Sequence, residues 1–399
     1  MRILVIGAGP AGTRCAVRLA ERLPGASVTL AGAEAALPYD RVALSKLLAG
    51  DATVAGLITH PLALLRGLGI AYRPATPIAA IDRAAGAAVT TRGERLGYDR
   101  LVLATGSAAI RLPLPGAALP GVVLYRDMDD VRAMLRAAAG GGRAVVIGGG
   151  LLGLEAAVGL AARGMQVTVV HAVGWPMERQ LDPAAGGLLT RRLGLRGIRF
   201  AMPASTVAIT GDTKATGVAL SDGRVLPASL VVMAVGIRPS VTLAREAGLP
   251  VGRAITVDDA MRTEDPAVYA IGECAEHQGR TIGLVAPALE QAEIAARAIA
   301  GEVCAWAPRA DAAALKVSGT AVWSAGDIAT PGDDAIVLRD DAEERYRRLS
   351  LRDGRLVGAV LYGDTADAGF YLDLITSRRS VAGFRSALPF GPAFVREAA

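Results

Sequence analysis

Glycines with the spacing Gly-x-Gly-x-x-Gly occur twice in this chain of 399 residues, in RILVIGAGPAGTRCA (2–16) and in RAVVIGGGLLGLEAA (143–157). In such a turn the first glycine permits a sharp bend, the second lets the backbone approach a pyrophosphate, and the third lets helix and strand pack closely. The helix that follows offers free N–H groups to phosphates. The glycines are Gly7, Gly9, Gly12, Gly148, Gly150 and Gly153.

Each glycine turn follows an apolar strand and opens a helix, so we expect each to bind one dinucleotide. The economical pair is FAD with a nicotinamide nucleotide, NADH or NADPH. Other residues of the two turns complete the predicted phosphate sites: Pro10, Ala11, Leu151 and Leu152.

An acidic residue is expected about twenty residues after such a turn, where it binds a ribose hydroxyl. After the first turn this residue is Glu34, slightly late, and we expect it to bind the adenosine ribose of FAD; a surface glutamate is the alternative. After the second turn, VTVVH ends in His171 instead of an acid. His171 does not repel a 2′-phosphate, so the preference between NADH and NADPH stays open, and a partly exposed histidine without a role is the alternative.

The composition excludes several classes of protein. The three cysteines form no CxxC pair, which excludes a disulfide framework, a zinc ribbon, a local redox dithiol and a four-cysteine iron–sulfur cluster. With only three histidines, we expect no metal site. The net charge of +5 indicates either a solvated arginine-rich surface or attraction of an acidic protein partner, and the 4% of aromatic residues makes a nucleic-acid partner improbable.

No apolar window is long enough to cross a bilayer, because glycine, proline and arginine interrupt every run. The first residues are apolar like a signal peptide, but Gly7, Pro10 and Gly12 fit a strand, a turn and a helix instead. We therefore expect a cytoplasmic protein that does not bind membranes.

Alternating strands and helices must hold these residues in place. The predicted strands are 2–6, 27–30, 98–107, 143–147, 166–170, 229–236 and, ending in a turn, 267–275. The predicted helices are 12–22, 151–163 and 284–301. A turn is predicted at 221–224 and a hairpin within 346–364.

Two nested nucleotide-binding units, LVLATGS (101–107) and YAIGE (269–273) resemble the large two-dinucleotide flavoprotein reductases, both glutathione-reductase-like and ferredoxin-reductase-like. The resemblance implies an α/β fold in which an NAD domain is inserted into the FAD domain. The implied units are an FAD-binding domain (1–112 and 242–308), an NAD(P)-binding domain (113–241) and a small α+β C-terminal domain (309–399).

The resemblance also implies roles for residues outside the two turns. Glu273, where an aspartate is commoner, would bind the ribityl chain of FAD, and the helix beginning near Pro287 would point its positive end at the flavin. Further implied cofactor contacts stand at the ends of strands: Thr105, Gly106, Gly236 and Gly272.

A narrower resemblance is to the flavoprotein region of NAD(P)H nitrite reductases and to the electron-transfer subunit of assimilatory nitrate reductases. It is carried by PYDRVALSKLL (38–48), LYRDMDDV (124–131), MERQLDPAAGGLL (177–189) and DPAVYAIGECAEHQGRTIGLVAPALEQA (265–292), among other segments. It implies an electron-transfer flavoprotein. Because the chain lacks cysteines for iron–sulfur and sirohaem modules, we expect that it cannot reduce nitrite by itself.

Two charged residues are expected beside the flavin. Lys46 resembles the lysine that ferredoxin-reductase-like enzymes place near flavin N5, and Glu155 resembles the glutamate that pairs with it. A buried lysine and glutamate are tolerable together and costly alone. Arg41 is expected to contact the flavin or the pyrophosphate. The alternative for each is an ordinary surface or helix residue.

Three functions remain open. The first is an NAD(P)H-dependent flavoprotein that feeds a nitrate or nitrite reductase component with an iron–sulfur, molybdenum or sirohaem centre. The second is a rubredoxin or ferredoxin reductase of an oxygenase system, and the third is a non-catalytic NADH or redox sensor. In each, the C-terminal domain forms either a homodimer face or a docking surface for the partner.

Overall fold

The computed structural model describes residues 1–308, 312–317, 319–328, 330 and 334–398. Three five-stranded sheets form its frame, two parallel and one antiparallel. The helices of the described residues are α1 (Pro10–Arg22), α2 (Leu44–Ala49), α3 (Val54–Leu57), α4 (Leu62–Gly67), α5 (Met128–Ala138), α6 (Leu151–Ala162), α7 (Pro183–Leu195), α8 (Thr242–Glu246), α9 (Val285–Ile299), α10 (Ala368–Ser377) and α11 (Pro392–Ala398).

The central strands of the two parallel sheets are rich in valine, leucine and isoleucine, which suits strands buried on both faces. The described residues form 26 strands. In chain order they are β1 (Arg2–Ile6), β2 (Ser27–Ala31), β3 (Ile70–Arg73), β4 (Ile78–Asp82), β5 (Ala87–Thr90), β6 (Arg95–Gly97), β7 (Arg100–Leu103), β8 (Ser107–Ala109), β9 (Val122–Leu124), β10 (Arg143–Ile147), β11 (Gln166–Val170), β12 (Arg199–Ala201), β13 (Thr206–Thr210), β14 (Gly217–Leu220), β15 (Val225–Pro227), β16 (Leu230–Met233), β17 (Ile237–Pro239), β18 (Ile255–Val257), β19 (Val268–Ala270), β20 (Ala275–His277), β21 (Arg280–Thr281), β22 (Ala312–Val317), β23 (Thr320–Gly326), β24 (Asp334–Asp340), β25 (Arg345–Arg352) and β26 (Arg355–Tyr362).

The two parallel sheets have the same arrangement around their first strands. The first sheet has the order β3-β2-β1-β7-β19 and the second β12-β11-β10-β16-β9. In each, the first strand of the unit lies at the centre, between the strand that follows it through a helix and a strand from farther along the chain. This is the order of a Rossmann unit, in which ligands bind at the carboxyl ends of the strands.

Smaller sheets accompany the two units. Two three-stranded antiparallel sheets, β4-β5-β6 and β13-β14-β15, occupy corresponding places in the units, and β8 pairs with β17 where the chain passes between the sheets. The last sheet has the order β22-β23-β26-β25-β24 and is antiparallel, with α10 packed against it. The predicted α/β fold with a small α+β C-terminal part is confirmed. The domain boundaries stay a prediction.

Most predicted elements are found: β1, β10 and β11 have the predicted bounds, α1 and β2 are slightly longer, and others are shorter. The predicted strand 98–107 is limited to β7, because the chain turns out of the sheet at Gly106, which has φ +63°. The predicted strand 229–236 likewise ends at Met233, before Gly236 with φ +119°. The hairpin predicted within 346–364 is β25 and β26. Among the described residues, no helix has the length and apolar character to cross a membrane.

Candidate functional site

The first glycine turn joins β1 to α1, and its shape depends on the absence of side chains. A Cβ added to Gly7, which has φ +113°, would lie 2.1 Å from the carbonyl oxygen of Ala104. A Cβ added to Gly12 would lie 1.9 Å from the carbonyl oxygen of Gly7. At Gly9, by contrast, an added Cβ would meet no atom within 4 Å. The backbone at Gly9 therefore faces open space, as a turn that receives a pyrophosphate requires.

The second glycine turn, between β10 and α6, repeats this geometry. A Cβ on Gly148 would lie 2.3 Å from the carbonyl oxygen of Ala234, and one on Gly153 would lie 2.0 Å from that of Gly148. A Cβ on Gly150 would again meet nothing within 4 Å. The same three roles are thus filled by the same three positions in both units.

The helices that follow the two turns have unsatisfied N-termini. The N-cap residues Gly9 and Gly150 provide no side-chain hydrogen bond, and Pro10 starts α1 without an N–H group that would need an acceptor. The first-turn N–H groups have no intrahelical partner and point out of the helix. This donor set fits a phosphate ligand at each turn. The predicted contacts in these first turns are Ala11, Gly12, Leu151, Leu152 and Gly153.

Glu34 and Arg41, both predicted at the FAD site, contact each other. Arg41 donates from Nη2 to Oε1 of Glu34 at 2.5 Å, while the hydroxyl of Tyr39 donates to Oε2 at 2.7 Å. Arg41 also donates from Nη1 to the carbonyl oxygen of Arg126 at 2.9 Å. The carboxylate is therefore held just beyond the end of β2, and its contact with the adenosine ribose stays a prediction.

Glu273 lies in the turn after β19, and two groups hold its carboxylate. Ser107 donates to its Oε2 at 2.5 Å, and Arg126 forms an ion pair with the same oxygen. Gly106 lies beside them, since a Cβ there would be 3.7 Å from Nη2 of Arg126 and 3.9 Å from Oε2 of Glu273. Thr105 donates to the carbonyl oxygen of Ser240 at 2.8 Å, which fixes the chain just before Gly106.

Gly272 and Pro287 lie where a helix end faces the first sheet. A Cβ on Gly272, which has φ +77°, would lie 3.3 Å from that of Ala11 and 3.8 Å from that of Ala288. Helix α9 begins at Val285, two residues before Pro287, and its N-cap provides no side-chain hydrogen bond. The free end of α9 thus lies close to the start of α1.

Lys46 and Glu155 lie on α2 and α6, two helices that pack against each other. Arg163 at the end of α6 donates from Nε to the carbonyl oxygen of Leu48 at 2.7 Å. Gly159 makes the close approach possible, because a Cβ there would lie 2.7 Å from Cγ of Leu48. This contact brings α2, which lies between β2 and β3 in the chain, onto the helix of the second glycine turn.

The predicted ion pair between Lys46 and Glu155 is not among the ion pairs of the described residues. Lys46 is exposed, because Leu44, Leu47 and Leu48 occupy the buried face of the short helix α2. Glu155 is half-buried, and burial raises the pKa of its carboxyl to about 7, an effect opposed by hydrogen bonding from Ser45. The places of Lys46 and Glu155 beside the flavin stay a prediction.

His171 follows β11 and contacts the second glycine turn. The N–H of Gly149 donates to its Nδ1 at 3.2 Å, and its Nε2 lies 3.0 Å from Oε2 of Glu178. Gly236, predicted as a cofactor contact, lies between β16 and β17, and a Cβ there would be 3.6 Å from Ile110.

Sequence reasoning missed several residues of this region. Arg126 lies in the segment LYRDMDDV that carried the narrower resemblance, but nothing local indicated that it would reach Glu273, 147 positions away. Ser45 and Tyr39 were likewise inside PYDRVALSKLL without being singled out. Among the described residues, no group of three or more histidine, cysteine, aspartate or glutamate side chains is placed to hold a metal ion.

The chain matches two family models. Residues 1–295 match the pyridine nucleotide-disulphide oxidoreductase family, and residues 312–379 match the rubredoxin NAD+ reductase C-terminal domain.

Two curated relatives from Bacillus subtilis (strain 168) match nearly the whole chain. It is 39% identical to nitrite reductase [NAD(P)H] over 384 residues, which is 96% of this chain and 48% of the relative. It is 38% identical to the assimilatory nitrate reductase electron transfer subunit over 386 residues, 96% of this chain and 50% of the relative. The chain thus spans about half the length of these relatives.

A solved structure supports the same assignment. The ferredoxin reductase of the CYP199A2 system from Rhodopseudomonas palustris superposes with a TM-score of 0.87 at 30% identity, over 95% of both chains. These matches confirm the predicted fold class and the predicted class of enzyme, an NAD(P)H-dependent FAD oxidoreductase. The chain belongs to the pyridine nucleotide-disulphide oxidoreductase family.

Proposed function

We propose that this chain takes a hydride from NAD(P)H onto FAD and passes the electrons to a separate protein, an assimilatory nitrate or nitrite reductase component. The observation that carries the proposal is the pair of glycine turns, in which Gly9 and Gly150 both leave open space in front of an unsatisfied helix N-terminus. When bound, the nicotinamide supplies a hydride and the flavin accepts it and releases electrons singly.

The chain's own residues would bind and orient the two cofactors. The first turn and the N-terminus of α1 would hold the FAD pyrophosphate, with Glu34 on the adenosine ribose and Glu273 on the ribityl chain. Arg41 would neutralise charge near the pyrophosphate. The second turn and α6 would hold the nicotinamide nucleotide.

Lys46 and Glu155 would lie beside the reacting rings. The Lys46 ammonium would stabilise negative charge that develops on the flavin by electrostatic attraction. The carboxyl of Glu155, whose pKa burial raises to about 7, would then gain or lose a proton near neutral pH.

The chain's cysteines do not offer a route for the electrons. The segment 38–48, which carries the cysteines in disulfide reductases of this type, contains none. Cys15 and Cys274 are fully buried, and burial raises the pKa of both thiols. We therefore propose an external protein acceptor.

The comparisons support two candidate classes of protein acceptor. The nitrite and nitrate reductase relatives match 96% of this chain at 38–39% identity, which supports an acceptor that reduces nitrate or nitrite. The match of residues 312–379 to a rubredoxin reductase domain supports the second candidate, a rubredoxin or ferredoxin reductase of an oxygenase system. The C-terminal sheet would dock the acceptor or form a homodimer, and we place the protein in the cytoplasm, where NAD(P)H is regenerated.

The experiment compares acceptors for one preparation of FAD-loaded protein. Steady oxidation of NAD(P)H with ferricyanide would support an enzyme, and binding without turnover would support a sensor. Purified catalytic nitrate or nitrite reductase subunits are then set against a rubredoxin and a [2Fe–2S] ferredoxin. Faster reduction of the nitrate or nitrite reductase subunit is expected. Faster reduction of the rubredoxin or the ferredoxin would favour the second candidate, a reductase of an oxygenase system.

A further inference from the structure

Near the second glycine turn, where we propose that the nicotinamide nucleotide binds, lies an acidic residue that the sequence pattern does not reveal, Glu178. His171 stands at the end of β11, where a Rossmann unit usually has the acid that binds the adenosine ribose. Its ring lies over Gly149, because a Cβ on Gly149 would be 2.8 Å from Cγ of the imidazole. The middle residue of Gly148-Gly149-Gly150 must therefore be small so that the histidine can pack against the turn.

The hydrogen bonds of His171 fix its tautomer. Nδ1 accepts from the N–H of Gly149 at 3.2 Å, so this nitrogen carries no proton. The neutral ring then has its proton on Nε2, which donates to Oε2 of Glu178 at 3.0 Å. The His171 side chain is 11% exposed and that of Glu178 is 33% exposed. The mostly buried histidine therefore holds a carboxyl group that is partly open to solvent.

The backbone next to Glu178 is also held on the glycine turn. The N–H of Met177 donates to the carbonyl oxygen of Gly149 at 3.0 Å, and its own carbonyl accepts from Gln180 and Leu181, each at 2.8 Å. Met177 is buried and has φ +56°, a costly conformation for a residue with a side chain. Main chain and side chain together therefore fix the Glu178 carboxylate beside the turn.

We propose that Glu178 selects NADH over NADPH, in place of the acid missing at His171. The inference rests on the proposed binding of NAD(P)H at the second turn. The carboxylate would accept a hydrogen bond from the 2′-hydroxyl of the adenosine ribose and would repel a 2′-phosphate at the same place. Oε1 of Glu178 accepts no hydrogen bond from the described residues and is available for this contact.

Arg179 is the residue that would produce the opposite preference. Its side chain is exposed and next to Glu178, and a guanidinium can bind a 2′-phosphate. However, no hydrogen bond or ion pair of the described residues fixes Arg179 on the glycine turn, whereas Glu178 is fixed through His171. The geometry therefore favours the carboxylate.

The test measures kcat/KM for NADH and for NADPH with ferricyanide as acceptor, in the FAD-loaded protein. The wild type should prefer NADH. Glu178→Gln should lower the NADH/NADPH ratio by at least about tenfold, as expected when a charged hydrogen bond is lost. His171→Ala should also lower the NADH/NADPH ratio, because Glu178 loses the hydrogen bond that holds it beside the turn.

Matched variants separate this proposal from its alternatives. Glu94→Gln removes an exposed carboxylate paired with Arg73 and should leave the ratio unchanged. A wild-type preference for NADPH that disappears in Arg179→Ala, or an unchanged ratio in Glu178→Gln with normal flavin content, would overturn the proposal. If the wild type oxidises neither nucleotide, the proposed function fails, and calorimetric affinities for NAD+ and NADP+ still decide the role of Glu178.

Discussion

The hydroxyl of Tyr346 donates a 2.6 Å hydrogen bond to Oδ2 of Asp182, joining the C-terminal sheet to the start of α7. Asp182 is 4% exposed, and its other oxygen caps α7 by accepting from the N–H of Ala185 at 3.3 Å. One buried carboxylate thus caps the start of a helix and attaches a sheet that lies far along the chain.

Tyr346→Phe should therefore destabilise the protein. It leaves Oδ2 of Asp182 without its donor in a buried place, which costs about 1–3 kcal/mol. Chemical denaturation measures the change. Tyr98→Phe is the control, because the buried hydroxyl of Tyr98 has no hydrogen-bond partner among the described residues, and its removal should have little effect. Equal losses in the two variants would show that the Tyr346–Asp182 bond does not stabilise the fold.

Two alanine variants of the first glycine turn should separate folding from cofactor binding. Gly12→Ala places a methyl group 1.9 Å from a backbone oxygen, so it should lower the free energy of unfolding by about 1–3 kcal/mol. Gly9→Ala meets no protein atom within 4 Å, so it should fold normally but bind FAD more weakly. Thermal denaturation of the cofactor-free proteins and their flavin content after reconstitution measure both effects. Normal flavin content in Gly9→Ala would place the pyrophosphate elsewhere.

Glu155 should make the stability of the cofactor-free protein depend on pH. Burial raises the pKa of this carboxyl to about 7, above its ordinary value in the unfolded chain. Any stabilisation from the neutral form is complete below about pH 4.5 and is lost as the pH rises through 7. Glu155→Gln should remove this loss, so that its advantage over the wild type grows from pH 5 to pH 8, to roughly 3 kcal/mol at most. A constant difference across this range would contradict the assignment.

Lys46→Ala should slow reduction of the flavin by about tenfold or more while FAD stays bound, because it removes a cation expected to stabilise charge on the reduced ring. Its side chain is exposed, so the stability should change by less than about 0.5 kcal/mol. Stopped-flow reduction by NADH measures the rate. Lys214→Ala, another exposed lysine, is the control. If neither Lys46→Ala nor Glu155→Ala changes the rate, their predicted place beside the flavin is wrong.

The sequence predicted best what depends on neighbours in the chain. The steric demand at Gly12 comes from the carbonyl oxygen of Gly7 within the same turn, and the positive φ of Gly7 is equally local, so spacing alone revealed both glycines. Arg126 and Glu273 meet across 147 positions, and that distance has no local pattern. Glu178 is seven positions from His171, but the chain between them turns at Met177 with φ +56°, a conformation that a methionine does not signal.

We propose that electrons enter from a nucleotide at the second glycine turn and pass to a flavin held at the first. Anaerobic titration of the FAD-loaded protein with NADH, followed by the visible absorption of oxidised flavin, tests it most directly. One equivalent of NADH is expected to bleach the flavin of the wild type, and Gly150→Ala is expected to keep its flavin but to need more NADH. A protein that binds no flavin after reconstitution, or a bound flavin that NADH leaves oxidised, would contradict it.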